Sequence, residues 1–302
     1  MRATLIHNPS AGDGQLDGAT LRQMLVEAGL QVRYRKRAGD WRKALRQKAD
    51  LVIAAGGDGT VSAVALALSG SAMPLAILPL GMANNIGRAL GVHGDIAELA
   101  RAWQSAQPRP LDLGVISASW GEERFVESAG GGLFSHLIAV GEEEIESAQT
   151  LTGAEGDRAL LVLKRLIEES KPRRWQVDLD GVDLSGDYIA LEAMNIRFVG
   201  PKLPLAADAD PADGLLDVVL VGEHERAELL DYVSGRLADS AAELPRLPIQ
   251  SGRHLRVRPP TGEPMHAGDS LFAPPKADKD EESSADETYD ILLRQAALMV
   301  YR

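Results

Sequence analysis

From Leu51 to Ser62 the chain reads Leu-Val-Ile-Ala-Ala-Gly-Gly-Asp-Gly-Thr-Val-Ser, and this stretch restricts the fold more than any other. A strand-length apolar run ends at two glycines, an aspartate and a third glycine. Apolar residues at Val64, Leu66 and Leu68 then read as a helix. Strand, tight glycine turn and helix in this order is how α/β proteins build a phosphate site. Glycines let backbone N–H groups come close to an anion, and the helix N-terminus adds partial positive charge. Asp58 does not suit a simple anion site, because its carboxylate repels phosphate unless a metal or a reacting hydroxyl lies between them. The stretch therefore points to phosphoryl transfer. The plainer alternative is a β–α turn with Asp58 as an N-cap.

The same order of elements occurs twice more within the first 90 residues. Thr4–His7 reads as a strand ended by Asn8-Pro9-Ser10-Ala11-Gly12-Asp13-Gly14, before a helix through Leu21, Met24 and Leu25. Leu75–Pro79 runs into Leu80-Gly81-Met82-Ala83-Asn84-Asn85, which opens another helix. These elements predict one parallel sheet whose carboxyl edge gathers the three turns into a crevice, where such sheets bind ligands. His7, at a strand end, reads as hydrogen-bonded structure. Gln31–Tyr34 is a short strand, and the basic pattern over 40–48 predicts an amphipathic helix with a solvated face.

From residue 112 the texture changes. Strand patterns dominate at Arg124–Glu127, Trp175–Leu179, Tyr188–Met194, Leu216–Val221, Leu255–Arg258, Tyr289–Leu293 and Ala297–Tyr301. One helical pattern, 159–169, interrupts them, and Glu142-Glu143-Glu144 reads as a solvated helix start. At 302 residues the chain is long enough for two domains. The expected division is an α/β nucleotide-binding domain over 1–111 and a mostly β substrate domain over 112–302. A charged mobile loop is expected over 273–287, and the last strand is free to return to the first domain.

The net charge of −12 provides no basic field for a phosphodiester backbone, which argues against nucleic acid as the main partner. It also leaves any contact with an anionic bilayer to a local patch. With no cysteine there is no disulfide framework, thiolate nucleophile or cysteine-bound zinc. Neither a signal peptide nor a membrane-spanning run is visible. The expectation is a cytoplasmic enzyme that touches the membrane surface transiently, with a homodimer compatible.

Several of these pieces recur in a shared order. They are Asn8-Pro9-Ser10-Ala11-Gly12, Gly56-Gly57-Asp58-Gly59-Thr60, Leu78-Pro79-Leu80-Gly81 with Asn84, Asn85 and Arg88, Glu127-Ser128-Ala129-Gly130-Gly131-Gly132, and Asp213-Gly214-Leu215-Leu216-Asp217. In order and spacing the chain resembles the diacylglycerol kinase catalytic family. That family includes bacterial lipid kinases and sphingosine kinases and is related to NAD kinases and phosphofructokinases. The resemblance implies a three-layer α/β domain with a mainly parallel sheet, then a β-sandwich-like domain, with the active site in the cleft between them. It implies ATP phosphates on Gly56, Gly57, Asp58, Gly59, Thr60, Val61 and Ser62. Asn8, Pro9, Ser10, Gly81, Met82, Asn84 and Asn85 would complete the pocket, with the Asp58 region ordering Mg²⁺ or its waters. Transfer of this kind rests on positioning and charge neutralisation, and Mg²⁺ takes hard oxygen ligands. Asp210, Asp213 and the carbonyl of Leu215 look like a loop for structural magnesium; a polar turn before the next strand is the alternative.

The chain departs from the family pattern at three places. Met82 stands where threonine is common, Ala63 where glutamate is common, and the late Asp-Gly-Glu has no clean copy. Met265-His266-Ala267-Gly268-Asp269-Ser270 keeps its strand context and offers Asp269 as the catalytic base, with Glu263 of Thr261-Gly262-Glu263 as the fallback. His266 reads as structural. The function expected is an ATP-dependent kinase acting on a lipid with a free hydroxyl, such as diacylglycerol. The alternatives are a kinase for a soluble acceptor, as NAD kinases are, and a nucleotide-binding module with weak or no catalysis.

Overall fold

A strand without polar alternation needs cover on both faces, and this requirement shapes both parts of the chain. The computed structural model describes residues 1–12, 16–148, 155–238, 243–274 and 287–302. It divides into two units, Met1–Leu113 with Arg294–Arg302, and Gly114–Leu293.

The first unit alternates β1 (Arg2–His7), α1 (Gly18–Glu27), β2 (Gln31–Lys36), β3 (Leu51–Gly56), α2 (Asp58–Leu68), β4 (Leu75–Pro79), α3 (Asn85–Ala89) and α4 (Ile96–Ala102). Its strands pair in parallel in the order β4-β3-β1-β2. Leu5, Leu51, Ile53, Ala76 and Leu78 cluster with Leu21 and Leu25 of α1 and with Trp103. The alternate residues Ile6, Val52, Ala54 and Ile77 are just as fully buried, and α2 contacts β3 and β4. The sheet is thus the middle of three layers. Over 40–48, where the sequence predicts an amphipathic α-helix, the chain forms a 3₁₀ segment, Trp41–Arg46. Its buried anchors, Trp41 and Ala44, lie three residues apart, the spacing that eclipses in a 3₁₀ turn.

Chain order continues through β5 (Arg109–Ala118), β6 (Gly121–Phe125), β7 (Ser128–Gly132), α5 (Leu133–Ser147) and α6 (Glu155–Glu169). Next come β8 (Arg173–Leu179), β9 (Val182–Asp183), β10 (Gly186–Tyr188), β11 (Ala190–Met194), β12 (Leu216–Val221) and α7 (Glu223–Leu237). The last elements are β13 (Ile249–Gly252), β14 (His254–Arg258), β15 (Met265–Ala267), β16 (Ser270–Phe272) and β17 (Tyr289–Val300). The end of β17 belongs to the first unit, where Val300 pairs in parallel with Leu75 of β4.

Within the second unit one antiparallel sheet runs β13-β12-β11-β7-β15-β16. Leu191, Ala193, Leu216, Val218 and Leu220 of this sheet cluster with Trp175, Val177, Leu255, Val257 and Ile291 of an opposing sheet built on β8, β14 and β17. The alternate residues Ala190, Met194, Val219 and Val221 join Leu133, Phe134, Leu163 and Leu229 under α5, α6 and α7. The architecture is a β-sandwich with one sheet covered outside by helices. The sequence patterns anticipate only α6 among these helices, since α5 follows a glycine run and breaks at Gly141, with φ +79°. Most of the 273–287 loop lies outside the described residues. Among the described residues no helix is long and apolar enough to cross a membrane.

Candidate active site

The three glycine turns of the first unit meet at the carboxyl ends of β1, β3 and β4. Asn8 N–H donates to the Ala55 carbonyl at 2.9 Å, and Leu80 N–H donates to the Gly56 carbonyl at 3.0 Å. The contacts are close enough to demand glycine. A Cβ on Gly81 would lie 2.4 Å from the Cα of Gly57, and one on Gly12, whose φ is +65°, would lie 2.4 Å from the Leu80 carbonyl oxygen. The crevice predicted from the repeated turns is therefore a single surface.

Asp58 is the first residue of α2, and its side chain crosses to the neighbouring turn, where Oδ1 accepts the Ile86 N–H at 2.9 Å. Burial pushes its carboxyl above the ordinary aspartate value, while backbone N–H groups of Ile86, Asn85 and Asn84 pull the other way. The carboxylate thus fills the N-terminus of α3 and ties the second turn to the third. Asn84 completes this brace from a left-handed backbone conformation. Its Oδ1 accepts the Gly81 N–H at 2.9 Å, and its Nδ2 donates to the carbonyls of Gly81 at 2.5 Å and Pro79 at 3.3 Å.

The expected nucleotide-binding residues thereby sort into scaffold and surface. Thr60, Val61 and Asn85 are buried, so the first two can offer a ligand only their backbone. Asn8 Oδ1 accepts the Ser10 N–H at 3.3 Å, shaping the first turn. Pro9, Ser10 and Met82 are exposed, and Gly57, Gly59, Ser62 and Gly81 are half-buried at the surface of the crevice. Met82 puts an apolar side chain, 49% exposed, on the third turn. His7 is buried, with Nδ1 3.2 Å from the Tyr34 hydroxyl, and burial lowers its pKa, in keeping with a structural role. Sequence reasoning passed over Arg37, which follows β2 and donates from Nη2 to the Gly59 carbonyl at 3.1 Å. Its signal was position: β2 is parallel to β1, so Arg37 comes off the same carboxyl edge.

In the second unit the two acidic candidates differ sharply. Glu263 is held by two basic side chains: Arg173 Nη1 donates to Oε2 at 2.8 Å, and His136 Nε2 lies 3.0 Å from Oε1. The hydrogen bond to Glu263 raises the pKa of His136, against its partial burial. Asp269 is exposed and accepts only from the Ser270 hydroxyl, at 3.1 Å, among its described contacts.

Between these candidates lies a pair that sequence reasoning did not anticipate. His266 and Glu192 are each 1% exposed, with His266 Nε2 2.9 Å from Glu192 Oε1 and Nδ1 3.0 Å from the Gly268 carbonyl. Burial lowers the imidazole's pKa, but the charge and hydrogen bond of Glu192 outweigh it and the net direction is upward. The proton of this pair pins the turn that carries Asp269. The signal for Glu192 was a lone charge inside the apolar strand Ala-Leu-Glu-Ala-Met.

In the Asp210–Leu215 loop, Asp213 N–H donates to the Asp210 carbonyl at 3.3 Å, and Asp213 Oδ1 accepts the Leu215 N–H at 2.9 Å. Nearby Asp217 is pushed up, first by burial and further by the charges of Asp213 and Asp208, while the Ser251 hydroxyl opposes the shift. No group of three or more histidine or acidic side chains is placed to hold a metal among the described residues.

Fold and site together define an α/β domain with three glycine turns gathered at one sheet edge, linked in sequence to a β-sandwich unit. Residues 2–116 match the family described as diacylglycerol kinase catalytic domain, and residues 157–279 match the YegS C-terminal NAD kinase beta sandwich-like domain. The chain is 32% identical to a Pseudomonas putida protein named "Probable lipid kinase YegS-like" over 80% of its own length and 81% of the relative's. It is 28% identical to the diacylglycerol kinase of Bacillus subtilis over 76% of each chain. Among solved structures, a diacylglycerol kinase from Bacillus anthracis aligns with a TM-score of 0.65 at 22% identity, covering 99% of this chain and 96% of that one. Yeast NADH kinase aligns with a TM-score of 0.51 at 9% identity, covering 99% and 82%. The chain belongs to the diacylglycerol kinase catalytic family and is a phosphotransferase with an alcohol group as acceptor.

Proposed function

We propose that the chain is an ATP-dependent lipid kinase that phosphorylates the free hydroxyl of a diacylglycerol-like lipid. The observation that carries this reading is the meeting of the three glycine turns at one sheet edge, with Asp58 tying the second turn to the third and Asn84 bracing the third internally. Amides of Gly56–Ser62 and of the first and third turns cradle the phosphates, and rigidity there supplies the positioning that phosphoryl transfer needs. Asp58 acts by fixing the turns. The γ-phosphoryl group passes to the acceptor oxygen, Asp269 takes the hydroxyl proton, and ADP leaves. Glu263 is excluded as base in this reading because Arg173 and His136 occupy its carboxylate.

The Asp210 loop offers hard oxygen donors, with no described hydrogen bond to Oδ2 of Asp213, and extra negative charge from Asp208 and Asp217. That donor set fits Mg²⁺, which Asp210, Asp213 and the Leu215 carbonyl would hold as a structural ion. A Mg²⁺ bound with ATP would neutralise charge on the phosphate oxygens. Names of relatives support the lipid acceptor, as does the 32% identity to a lipid kinase homologue. The test is transfer of label from γ-labelled ATP to a panel of extracted lipids and soluble metabolites, NAD included. Labelled diacylglycerol-like lipid is expected; label on soluble acceptors alone would replace the lipid reading with a NAD kinase-like one. ATP–Mg binding without transfer to any acceptor would leave a binding module.

A further inference from the structure

The crevice holds no cation of its own. Across residues 8–12, 56–62 and 80–86 the only charged side chain is Asp58, so the three turns are net negative where a triphosphate of about four negative charges would lie. Backbone amides and helix ends offset only fractions of a charge each. Beside any Mg²⁺ that comes with the nucleotide, a side-chain cation for the phosphates would come from outside these three turns.

Several basic residues near this edge are occupied: Lys43 pairs with Asp40, Arg35 donates to the Tyr34 carbonyl, and Arg42 lies over the Trp41 ring. Lys36 ends β2 level with His7, on the exposed side of the edge. Arg88 donates from Nε to the Ala83 carbonyl on the third turn, at an exposed position. Arg37 is set apart by its contact with the second turn and by its partly buried guanidinium. Its backbone N–H donates to the His7 carbonyl at 2.7 Å, which fixes it at the carboxyl end of β1. Its Nη2 bond to Gly59 is its only side-chain hydrogen bond among the described residues. No described carboxylate pairs with it, and its Nε is buried without a partner. A buried donor left unmade is costly, more so on a charged group. The guanidinium is braced by a neutral carbonyl of the phosphate turn itself, so its charge stands beside that turn with no described carboxylate to neutralise it, the situation that suits phosphate oxygens.

We propose that Arg37 is the side-chain cation of the nucleotide site, contacting the phosphate chain of a nucleoside di- or triphosphate that lies on Gly56–Ser62. The proposal rests on the nucleotide reading above and assigns it a residue that neither composition nor motif singled out. Recognition is then graded by phosphate charge: ATP and ADP feel Arg37, whereas adenosine does not.

Calorimetric titration of the full chain with ATP, ADP and adenosine, each with Mg²⁺, tests this in wild type, Arg37→Gln and Arg37→Lys. Glutamine removes the charge and, being shorter, the Nη2 contact to Gly59 as well, so a thermal melt of each variant checks the fold. Arg37→Gln is expected to weaken ATP by about 10- to 100-fold, the range for a charge-assisted hydrogen bond, with adenosine changed less than about twofold. Arg37→Lys should recover part of the loss. An equal loss for ATP and adenosine, no loss for either, or no recovery with lysine would overturn the proposal while leaving the nucleotide reading intact. A wild-type chain that binds neither ATP nor ADP would remove the nucleotide reading and this inference with it.

Discussion

Gly81→Ala isolates the contact between the second and third turns. The added Cβ would stand 2.4 Å from the Gly57 Cα, whereas ordinary contact begins near 3.4 Å. Both atoms are rigid backbone neighbours, so relief requires the turns to separate by about 1 Å, a displacement that elsewhere costs about 100-fold in rate. That corresponds to ~2.7 kcal/mol of transition-state stabilisation. Overpacking of this kind removes about 1–3 kcal/mol of stability, so the variant should still fold. The assay is steady-state phosphorylation of whichever lipid the panel identifies, alongside a thermal melt, with Gly121→Ala as the control because nothing lies within 4 Å of its added Cβ. A folded Gly81→Ala enzyme that kept kcat/KM within about threefold of wild type would refute the claim that turn spacing sets activity, since a 1 Å shift cannot be that cheap.

Other consequences follow from the same geometry. Asp58→Asn keeps an acceptor for the Ile86 N–H and removes a carboxyl whose pKa burial raises. Ionising that carboxyl favours the unfolded chain, so its penalty is complete above the folded pKa and fades as pH falls towards the ordinary 3.8. Wild type should therefore gain in melting temperature relative to the variant as pH falls from neutral into acid. The variant's turnover should fall at least ~10-fold, because the amide cannot accept from the Asn84 and Asn85 N–H groups as the carboxylate does. Asp269→Asn should lower kcat by about 10²- to 10⁴-fold with little change in melting temperature. Glu263→Gln should do the reverse, losing about 1–2 kcal/mol of stability, because Arg173 is half exposed and its pairing is partly screened. The raised pKa of His266 gives stability that is complete below the ordinary 6.5 and is lost as pH rises through the folded value. Melting curves from acid to alkaline pH should slope downward more steeply for wild type than for His266→Gln.

The parallel sheet was legible because β1, β3 and β4 are covered on both faces and so read as unbroken apolar runs, each stopped by glycine. Convergence of their turns followed from parallel topology alone. What sequence did not show was direction. Asp58 turns to an amide 28 residues away, and nothing local distinguishes that from a carboxylate facing a ligand. Arg37 was invisible for the same reason, being one basic residue in a basic stretch until its contact with Gly59 is seen. The helices α5 and α7 were hidden differently. Three glycines precede α5, and α7 buries only Leu229, Tyr232 and Val233 within an otherwise charged segment. The Glu192–His266 pair joins residues 74 positions apart, which no periodicity can report.

Amide hydrogen exchange with and without ATP–Mg tests most directly whether the carboxyl edge of the first sheet is the nucleotide site. Slowed exchange should be confined to Asn8–Gly12, Gly56–Ser62 and Leu80–Ile86, and should weaken in the order ATP, ADP, adenosine. Protection by ATP elsewhere in the chain, with these three turns unchanged, would contradict the account.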